Sequence, residues 1–471
     1  MTLVRRNIWS LSSVANPFPP AVLAYAKAVK AMQALPLADP RSWRYQAAIH
    51  GLANTVPPAG APWNSCQHSS WYFFPWHRMY LFQFERIVRS FVTAAGGPAN
   101  WTLPFWDYSS GAPRNSLPAG FRLPKLPDNS ANPLFVAQRR SGINTGTPLP
   151  PAVVSTTTAL NKTVFTNQGA NTGFGGPQTG FNHQGGAFGA LEATPHGSVH
   201  VQVGGPTGLM TDPDLAALDP IFWLHHANVD RLWDVWRLKH QTNVNPTTQS
   251  WLTRNFSLRN TTGAAVTMKV SGVVSDITQL DYTYEGLPAQ ALAAEEGGPG
   301  PVPRGKKPVM VGRNDRGLTV TTDGGSAEVP VGELPQPRAA AAAGSSPRLY
   351  LDLADIEGEK NPGIVYGVYL NLPKGAGTEV RDEHMVGVVS FFGIEHAGTA
   401  PVAPKSRDPH PLHYSFDVTE VVDGLRAKGA WDPGTFRVAL LPIEGSEPGG
   451  DDAALAAPPP VRVGSVSLFA G

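Results

Sequence analysis

Apolar residues recur at intervals of three and four in four stretches of the chain: around Val22, Leu23, Ala26 and Val29; across 42–50; through Tyr80, Leu81, Phe84, Ile87, Val88 and Phe91; and through Val229, Leu232, Trp233 and Trp236. This spacing predicts helices over 21–34, 42–50, 77–94 and 222–238, enough for an antiparallel four-helix bundle. Pro75 and the Asp219-Pro220 pair are start signals for the last two. Between about 109 and 190 the sequence is rich in Pro, Gly, Asn and Thr without a period, which predicts long irregular connections. Beyond about 347 the period changes to two, in Arg348–Leu353, Ile364–Leu370, Met385–Phe392, Thr435–Leu441 and Val461–Phe469. These runs predict an all-β sandwich or barrel. The intervening 291–346, with Glu-Glu-Gly-Gly-Pro-Gly-Pro, Gly-Lys-Lys-Pro and the run Ala339–Ala343, reads as an exposed, protease-sensitive linker. The expected organisation is a mainly α unit over 1–290, a linker over 291–346 and a β unit over 347–471.

Composition narrows the function. The 471 residues carry 37 Lys and Arg against 36 Asp and Glu, with no basic run, so a nucleic-acid or anionic-membrane partner is not expected. No apolar stretch approaches the ~20 residues that span a bilayer, and the N-terminus lacks the apolar segment of a secretory signal, which makes cytoplasmic the default location. Cys66 is the only cysteine, so a metal site in this chain must use histidine or carboxylate.

Histidine is concentrated early. His196 and His200 stand four apart, a spacing that puts both imidazoles on one helix face. His225 and His226 interrupt an apolar helix, where unpaired burial would be costly. Consecutive helical residues diverge by about 100°, so one of the two is expected to face a metal held by His196 and His200. Upstream, His50 ends a helical pattern, and His68 and His77 flank the aromatic run Trp71–Trp76. Two clusters of three imidazoles, without carboxylates at ligand-like spacing, point to a paired metal site of the kind copper favours. They do not define the reaction.

The segments Cys66-Gln-His-Ser-Ser-Trp-Tyr-Phe-Phe-Pro-Trp-His-Arg, Pro195-His-Gly-Ser-Val-His and Asp219-Pro-Ile-Phe-Trp-Leu-His-His-Ala-Asn-Val-Asp-Arg resemble the two copper motifs of the type-3 copper proteins, the tyrosinases, catechol oxidases and haemocyanins. The likeness continues through Trp101–Asp107 to Tyr282-Thr-Tyr284. The strands after 347 are similar to the C-terminal domain of plant polyphenol oxidases. The resemblance implies that His50, His68 and His77 bind copper A, that His196, His200 and His226 bind copper B, and that His225 is structural. It implies two copper ions, a small phenolic substrate and O2, and a C-terminal domain that keeps the enzyme latent. Arg5 or Arg6 would pin the N-terminus.

On the same resemblance, Glu192 matches the glutamate that holds a water for phenol deprotonation. Gly197 replaces an asparagine common in strong monophenolases, which favours oxidation of o-diphenols, or o-aminophenols, over monophenols. Pro213 stands where plant catechol oxidases place a bulky phenylalanine, and so opens the entrance. Phe222 would line the aromatic pocket, and Asn228 would orient ligands or nearby backbone. Cys66, two residues before His68, would form a thioether with it. Phe391 and Phe392 are the aromatic candidates for a plug. A full tyrosinase, a haemocyanin-like oxygen carrier and a zinc hydrolase are the competing readings, and oligomeric state and a copper chaperone are left open.

Overall fold

Helices begin where the chain supplies a cap. Ser42 Oγ accepts a hydrogen bond from the Tyr45 amide at 3.1 Å, and the Asp219 carboxylate accepts one from the Ile221 amide at 3.1 Å. Pro220 follows in the first turn, where a missing N–H costs nothing. In this computed structural model, which describes residues 2–52, 55–274, 279–287, 308–332, 348–396, 410–432, 434–447, 449 and 457–471, the caps start helices Trp43–His50 and Pro220–Lys239. Helices Pro20–Gln33 and Phe73–Ala94 complete the set that periodicity predicts. The last begins before 77 because Phe73, Phe74 and Trp76 are buried and extend its apolar face by a turn. It packs against both Pro20–Gln33 and Pro220–Lys239. The stretch 109–190 is irregular apart from single helical turns.

A buried ionic hub ties the long helices together. Arg78, next to His77, donates from Nε to Asp230 Oδ1 at 2.5 Å and from Nη2 to Asp234 Oδ2 at 2.7 Å. Asp230 also accepts from Tyr282 and Tyr284 hydroxyls at 2.5 and 2.6 Å and from Arg5 Nη1 at 3.3 Å. Arg5 is therefore the N-terminal arginine. It is fully buried, pairs with Glu85 at 2.7 Å, and lies 3.8 Å over the Tyr282 ring. Strand β1 (Leu3–Arg5) runs parallel to β4 (Tyr282–Tyr284), while β2 (Asn255–Arg259) and β3 (Ala265–Lys269) form a hairpin between them in sequence. Arg6, by contrast, is exposed.

The C-terminal part is two sheets sharing one apolar core. One has the order β10 (Met385–Val389), β9 (Tyr366–Leu370), β12 (Thr435–Pro442), β7 (Gly325–Pro330). The other runs β11 (Leu412–Asp417), β8 (Leu349–Glu357), β13 (Val461–Ala470), β5 (Val309–Asn314), with β6 (Leu318–Val320) also on β13. Leu351, Leu353 and Leu468 from one sheet and Val368, Val438 and Leu440 from the other fill the space between. The expected linker thus needs correction: residues 309–330 form three strands of these sheets. Their alternation, as in Leu318-Thr-Val320, is short and interrupted by Gly317 and Gly324, both at positive φ in tight turns, so composition hid it. Residues 291–307 and 333–346 lie outside the described residues.

The two parts meet along a polar and apolar seam. Gln202 Nε2 donates to the Gly445 carbonyl at 2.7 Å and accepts at Oε1 from Ser446 Oγ at 2.7 Å, while Arg140 reaches the Ser446 carbonyl at 2.9 Å. Thr172 Oγ1 donates to the Ser415 carbonyl at 3.0 Å.

Candidate metal centre

Seven histidines converge in the interior. His50 comes from the end of Trp43–His50, His68 from the loop before Phe73–Ala94, His77 from that helix, and His225 and His226 from Pro220–Lys239. His196 sits in a π-helical turn, Glu192–Gly197, that runs into helix Ser198–Gly204 carrying His200. All seven are buried.

Backbone carbonyls fix five of the rings by their Nδ1 atoms: Pro213 O holds His50 at 2.9 Å, His183 O holds His68 at 3.0 Å, Phe73 O holds His77 at 2.8 Å, Glu192 O holds His196 at 3.2 Å and Met210 O holds His200 at 2.8 Å. That bond selects the tautomer in which Nε2 carries a lone pair. Nε2 of His50, His68, His77 and His196 has no hydrogen-bond partner among the described residues, and Nε2 of His200 faces Nε2 of His226 at 3.2 Å. Buried imidazole nitrogens left without donors are what a cation would satisfy. Ligating atoms within 4.8 Å of one another group as His196, His200, His225 and His226, as His50, His77 and His226, and as His50, Cys66 and His68. His77 and His226 stack at 4.5 Å between ring centroids, so the two sets adjoin as one pocket.

His225 is closer to the centre than the 100° argument predicts. Its ring stacks on His196 at 5.5 Å and lies 4.8 Å from His200. His196 and His200 each lie beside both His225 and His226, so two faces of the helix meet the cluster.

Burial and neighbouring imidazoles hold every ring of the cluster neutral. His50, His68, His196, His225 and His226 are pushed well below the ordinary histidine range, and His77 and His200 to about 3. Desolvation pushes Glu192 the other way, up to about 8. Between pH 6.5 and about 3 the unfolded copper-free chain binds more protons than the folded one, so folding stability falls on acidification. Between about 4.5 and 8 the folded chain holds the Glu192 proton, so that residue subtracts stability as pH rises. With several histidines opposing one glutamate, the copper-free chain should be most thermostable near pH 6.5, lose melting temperature steeply towards pH 4, and lose less towards pH 8. Scanning calorimetry across that range checks this. A melting temperature flat from pH 4 to 7 would contradict neutral, buried rings.

Glu192 Oε1 accepts from the Ser69 amide at 2.7 Å, while its buried Oε2 has no partner among the described residues. Phe222 is buried with its ring 4.9 Å from His50 and 4.2 Å from His226. Pro213 acts through its carbonyl on His50. Asn228, on helix Pro220–Lys239, accepts at Oδ1 from Arg231 Nε at 2.9 Å. Cys66 Sγ lies 3.3 Å from His68 Nδ1 and 3.1 Å from His183 Nδ1. His183 was not singled out by sequence, because it stands alone in a Gly-rich loop. Phe73, 4.8 Å from His196 and 4.6 Å from His77, was likewise hidden within an aromatic run.

One more residue enters from the sheets. The Phe392 ring lies 4.4 Å from His200, 5.5 Å from His196 and 5.9 Å from His68. Phe391 turns the other way, into the sheet core at 5.6 Å from Tyr366. The turn that achieves this has Phe391 at φ 53° and Gly393 at φ 79°, the latter close against Pro213. A Cβ on Gly197 would stand 3.1 Å from Ser390 Oγ and 3.4 Å from Phe392 Cβ.

The family profile described as "Common central domain of tyrosinase" matches residues 40–239, and one described as a domain of unknown function (DUF7868) matches 307–471. Tyrosinase HcTyr1 of Hahella sp. (strain CCB-MM4) is 36% identical over 455 residues, which cover 89% of this chain and 92% of that one. The chloroplastic polyphenol oxidase of Malus domestica is 30% identical over 313 residues, 60% of this chain and 48% of the plant protein, so the match takes in about half the plant enzyme's length. The solved structure of a latent aurone synthase (polyphenol oxidase) superposes with a TM-score of 0.63 at 21% identity, covering 100% of this chain and 90% of that one, a likeness of fold. With four imidazole Nε2 atoms lacking hydrogen-bond partners among the described residues and a tyrosinase relative matched nearly end to end, the chain belongs to the tyrosinase and polyphenol oxidase family of type-3 copper proteins. It is a copper-dependent oxidoreductase that binds two copper ions and acts on phenols with O2. The carrier and zinc-hydrolase readings give way to this one. No described helix is long and apolar enough to cross a membrane.

Proposed function

We propose that this chain is a latent o-diphenol oxidase, with a catalytic unit over 1–290 built as a four-helix bundle and a β shield that begins at Val309 rather than 347. The observation that carries latency is the Phe392 ring stacked 4.4 Å from His200, where a phenol ring would have to enter. His50, His68 and His77 would hold copper A, and His196, His200 and His226 copper B, with His225 outside the ligand set. Bound copper supplies the two-electron exchange between phenol and O2.

The chain's own residues set the proton chemistry. Glu192 is anchored at Oε1 by the Ser69 amide, which leaves Oε2 to hold a water or accept the phenolic proton. Desolvation makes that carboxylate a stronger base than a surface glutamate, one that accepts a proton only after losing its own, above about pH 8 in the copper-free chain. A monophenol must lose its proton as it reaches the metal, and Gly197 offers no side chain to fix the accepting water. The same glycine gives Ser390 and Phe392 room to close. Pro213, read from sequence as opening the entrance, is covered by Gly393 in this closed arrangement. A second reading, a full tyrosinase, is favoured by the name of the Hahella relative.

Oxygen uptake by a copper-loaded Phe392→Ala chain with catechol and with phenol separates the two. Uptake confined to catechol supports the diphenolase; comparable uptake with phenol makes the enzyme a tyrosinase. The proximity of Cys66 to His68 further supports a thioether, which would fix the ring and remove an oxidisable thiol. Mass spectrometry of the copper-loaded protein should then find the 66–68 peptide lighter by two hydrogens and resistant to alkylation. A free, alkylatable thiol would contradict the bond.

A further inference from the structure

We propose that Asn361 is a positioning residue that sets the depth of the Phe392 ring in the metal site, by clamping the turn that carries the ring to a loop docked on the helix of His200. Asn361 lies between β8 and β9 and is fully buried. Its side chain donates from Nδ2 to the Ser390 carbonyl at 3.0 Å and accepts at Oδ1 from the Gly363 amide at 2.8 Å. Its own amide donates to Glu395 Oε1 at 2.9 Å. One residue thus holds both ends of the turn 390–395, in which Phe391 and Gly393 stand at positive φ and Phe392 reaches His200.

The loop around Asn361 is fixed in turn to the helical part. Gly363 sits at φ 69°, and a Cβ there would come within 2.3 Å of the Pro206 nitrogen and 2.4 Å of the Gly205 carbonyl carbon, so the approach requires glycine. The Gly363 carbonyl accepts from Arg140 Nη2. Arg140 is anchored on helix Ser198–Gly204, donating from its amide to the Val203 carbonyl at 2.9 Å and from Nε to the Gln202 carbonyl at 2.9 Å.

These contacts close a circuit. It leaves helix Ser198–Gly204 through Arg140, passes Gly363, Asn361 and Ser390 to Phe392, and returns to His200 on the same helix. Buried hydrogen bonds therefore set how far the ring enters. Asparagine suits the clamp because one short side chain supplies a donor for Ser390 and an acceptor for Gly363; an aspartate keeps the acceptor and loses the donor. A buried Ser390 carbonyl left without its donor favours a turn that opens towards water. The consequence for regulation rests on the latency reading; the placement of the ring does not.

The test reads the ring directly. In the copper-free full chain with 13C-labelled histidine, the Phe392 ring should shift the His200 ring protons upfield, and Phe392→Ala should abolish that shift. Asn361→Asp and Asn361→Ala should abolish it too. Val438→Ala, a truncation in the core between the sheets, should lower the melting temperature and leave the shift in place. Once copper is loaded, Asn361→Asp should raise catechol oxidation by the intact chain about fivefold or more, but less than about twofold in a Phe392→Ala background, because both changes act through one ring. An undiminished shift in Asn361→Asp overturns the proposal. So does an equal loss in Val438→Ala, or activation that simply adds to that of Phe392→Ala. Arg140→Lys, which keeps the charge without the fork that reaches Gly363, should weaken the shift from the other end of the circuit and carries the test if the Asn361 variants do not fold; an unchanged shift there overturns the proposal as well. An intact chain that oxidises catechol at full rate while the shift persists sinks the latency reading and leaves the clamp standing.

Discussion

Replacing Phe392 with alanine should raise catechol oxidation by the intact, copper-loaded chain roughly 10–100-fold while leaving the rate of the unshielded enzyme unchanged. The ring is 2% exposed and packs on His200, His196 and His68, so removing it takes away the one aromatic ring of the sheets that, among the described residues, lies on the imidazoles. Truncating a buried phenylalanine costs about 3–5 kcal/mol in all, and the roughly 1.4–2.8 kcal/mol of it withdrawn from the closed arrangement shifts the open fraction about 10–100-fold. Phe391→Ala is the contrast. Its ring belongs to the sheet core, so that change should lower the melting temperature of the shield with a much smaller effect per kcal/mol on the site. Steady-state oxygen consumption on both variants distinguishes them. Equal activation by the two would mean that latency reflects general loosening rather than a plug.

The second large effect concerns stability. Asp230→Ala should destabilise the helical part by about 3–5 kcal/mol, because it strips buried guanidinium groups of a shared carboxylate. Arg78 would keep Asp234 and Arg5 would keep Glu85, but both lose charge balance, and the Tyr282 and Tyr284 hydroxyls lose their acceptor. His77 adjoins Arg78, so copper retention should weaken along with the fold. Thermal unfolding should show a fall of roughly 10 °C for this variant. Asp230→Asn, which preserves an acceptor for the hydroxyls, should fall less. A loss under about 1 kcal/mol in Asp230→Ala would be the value for a surface ion pair and would contradict the hub.

Much of this was legible in the sequence, for identifiable reasons. The four long helices advertised themselves by period and by caps at Ser42 and Asp219. The six imidazoles sat in motifs too long to be accidental. What stayed hidden depends on direction rather than identity. Phe391 and Phe392 are chemically alike, and the turn with Phe391 and Gly393 at positive φ sends the Phe392 ring to the histidine cluster. Helix geometry allowed only one of His225 and His226 at the metal and the family resemblance set His225 aside; neither shows that its ring lies beside His196 and His200. Gly197 read as a missing asparagine; its contact with Ser390 and Phe392 shows that the same absence makes room for the shield. His183 lies 117 residues from Cys66 in the chain, and nothing local marks their contact. Strands β5 to β7 were lost among glycine and proline.

The most direct test of the account is oxygen uptake with catechol by one copper-loaded preparation, measured intact and again after cleavage within 291–306 and separation of the fragments. The account predicts slow uptake by the intact chain and uptake about tenfold or more faster by the N-terminal fragment at the same copper content. Full activity in the intact chain, or equally slow turnover by a folded, copper-replete fragment, would contradict it.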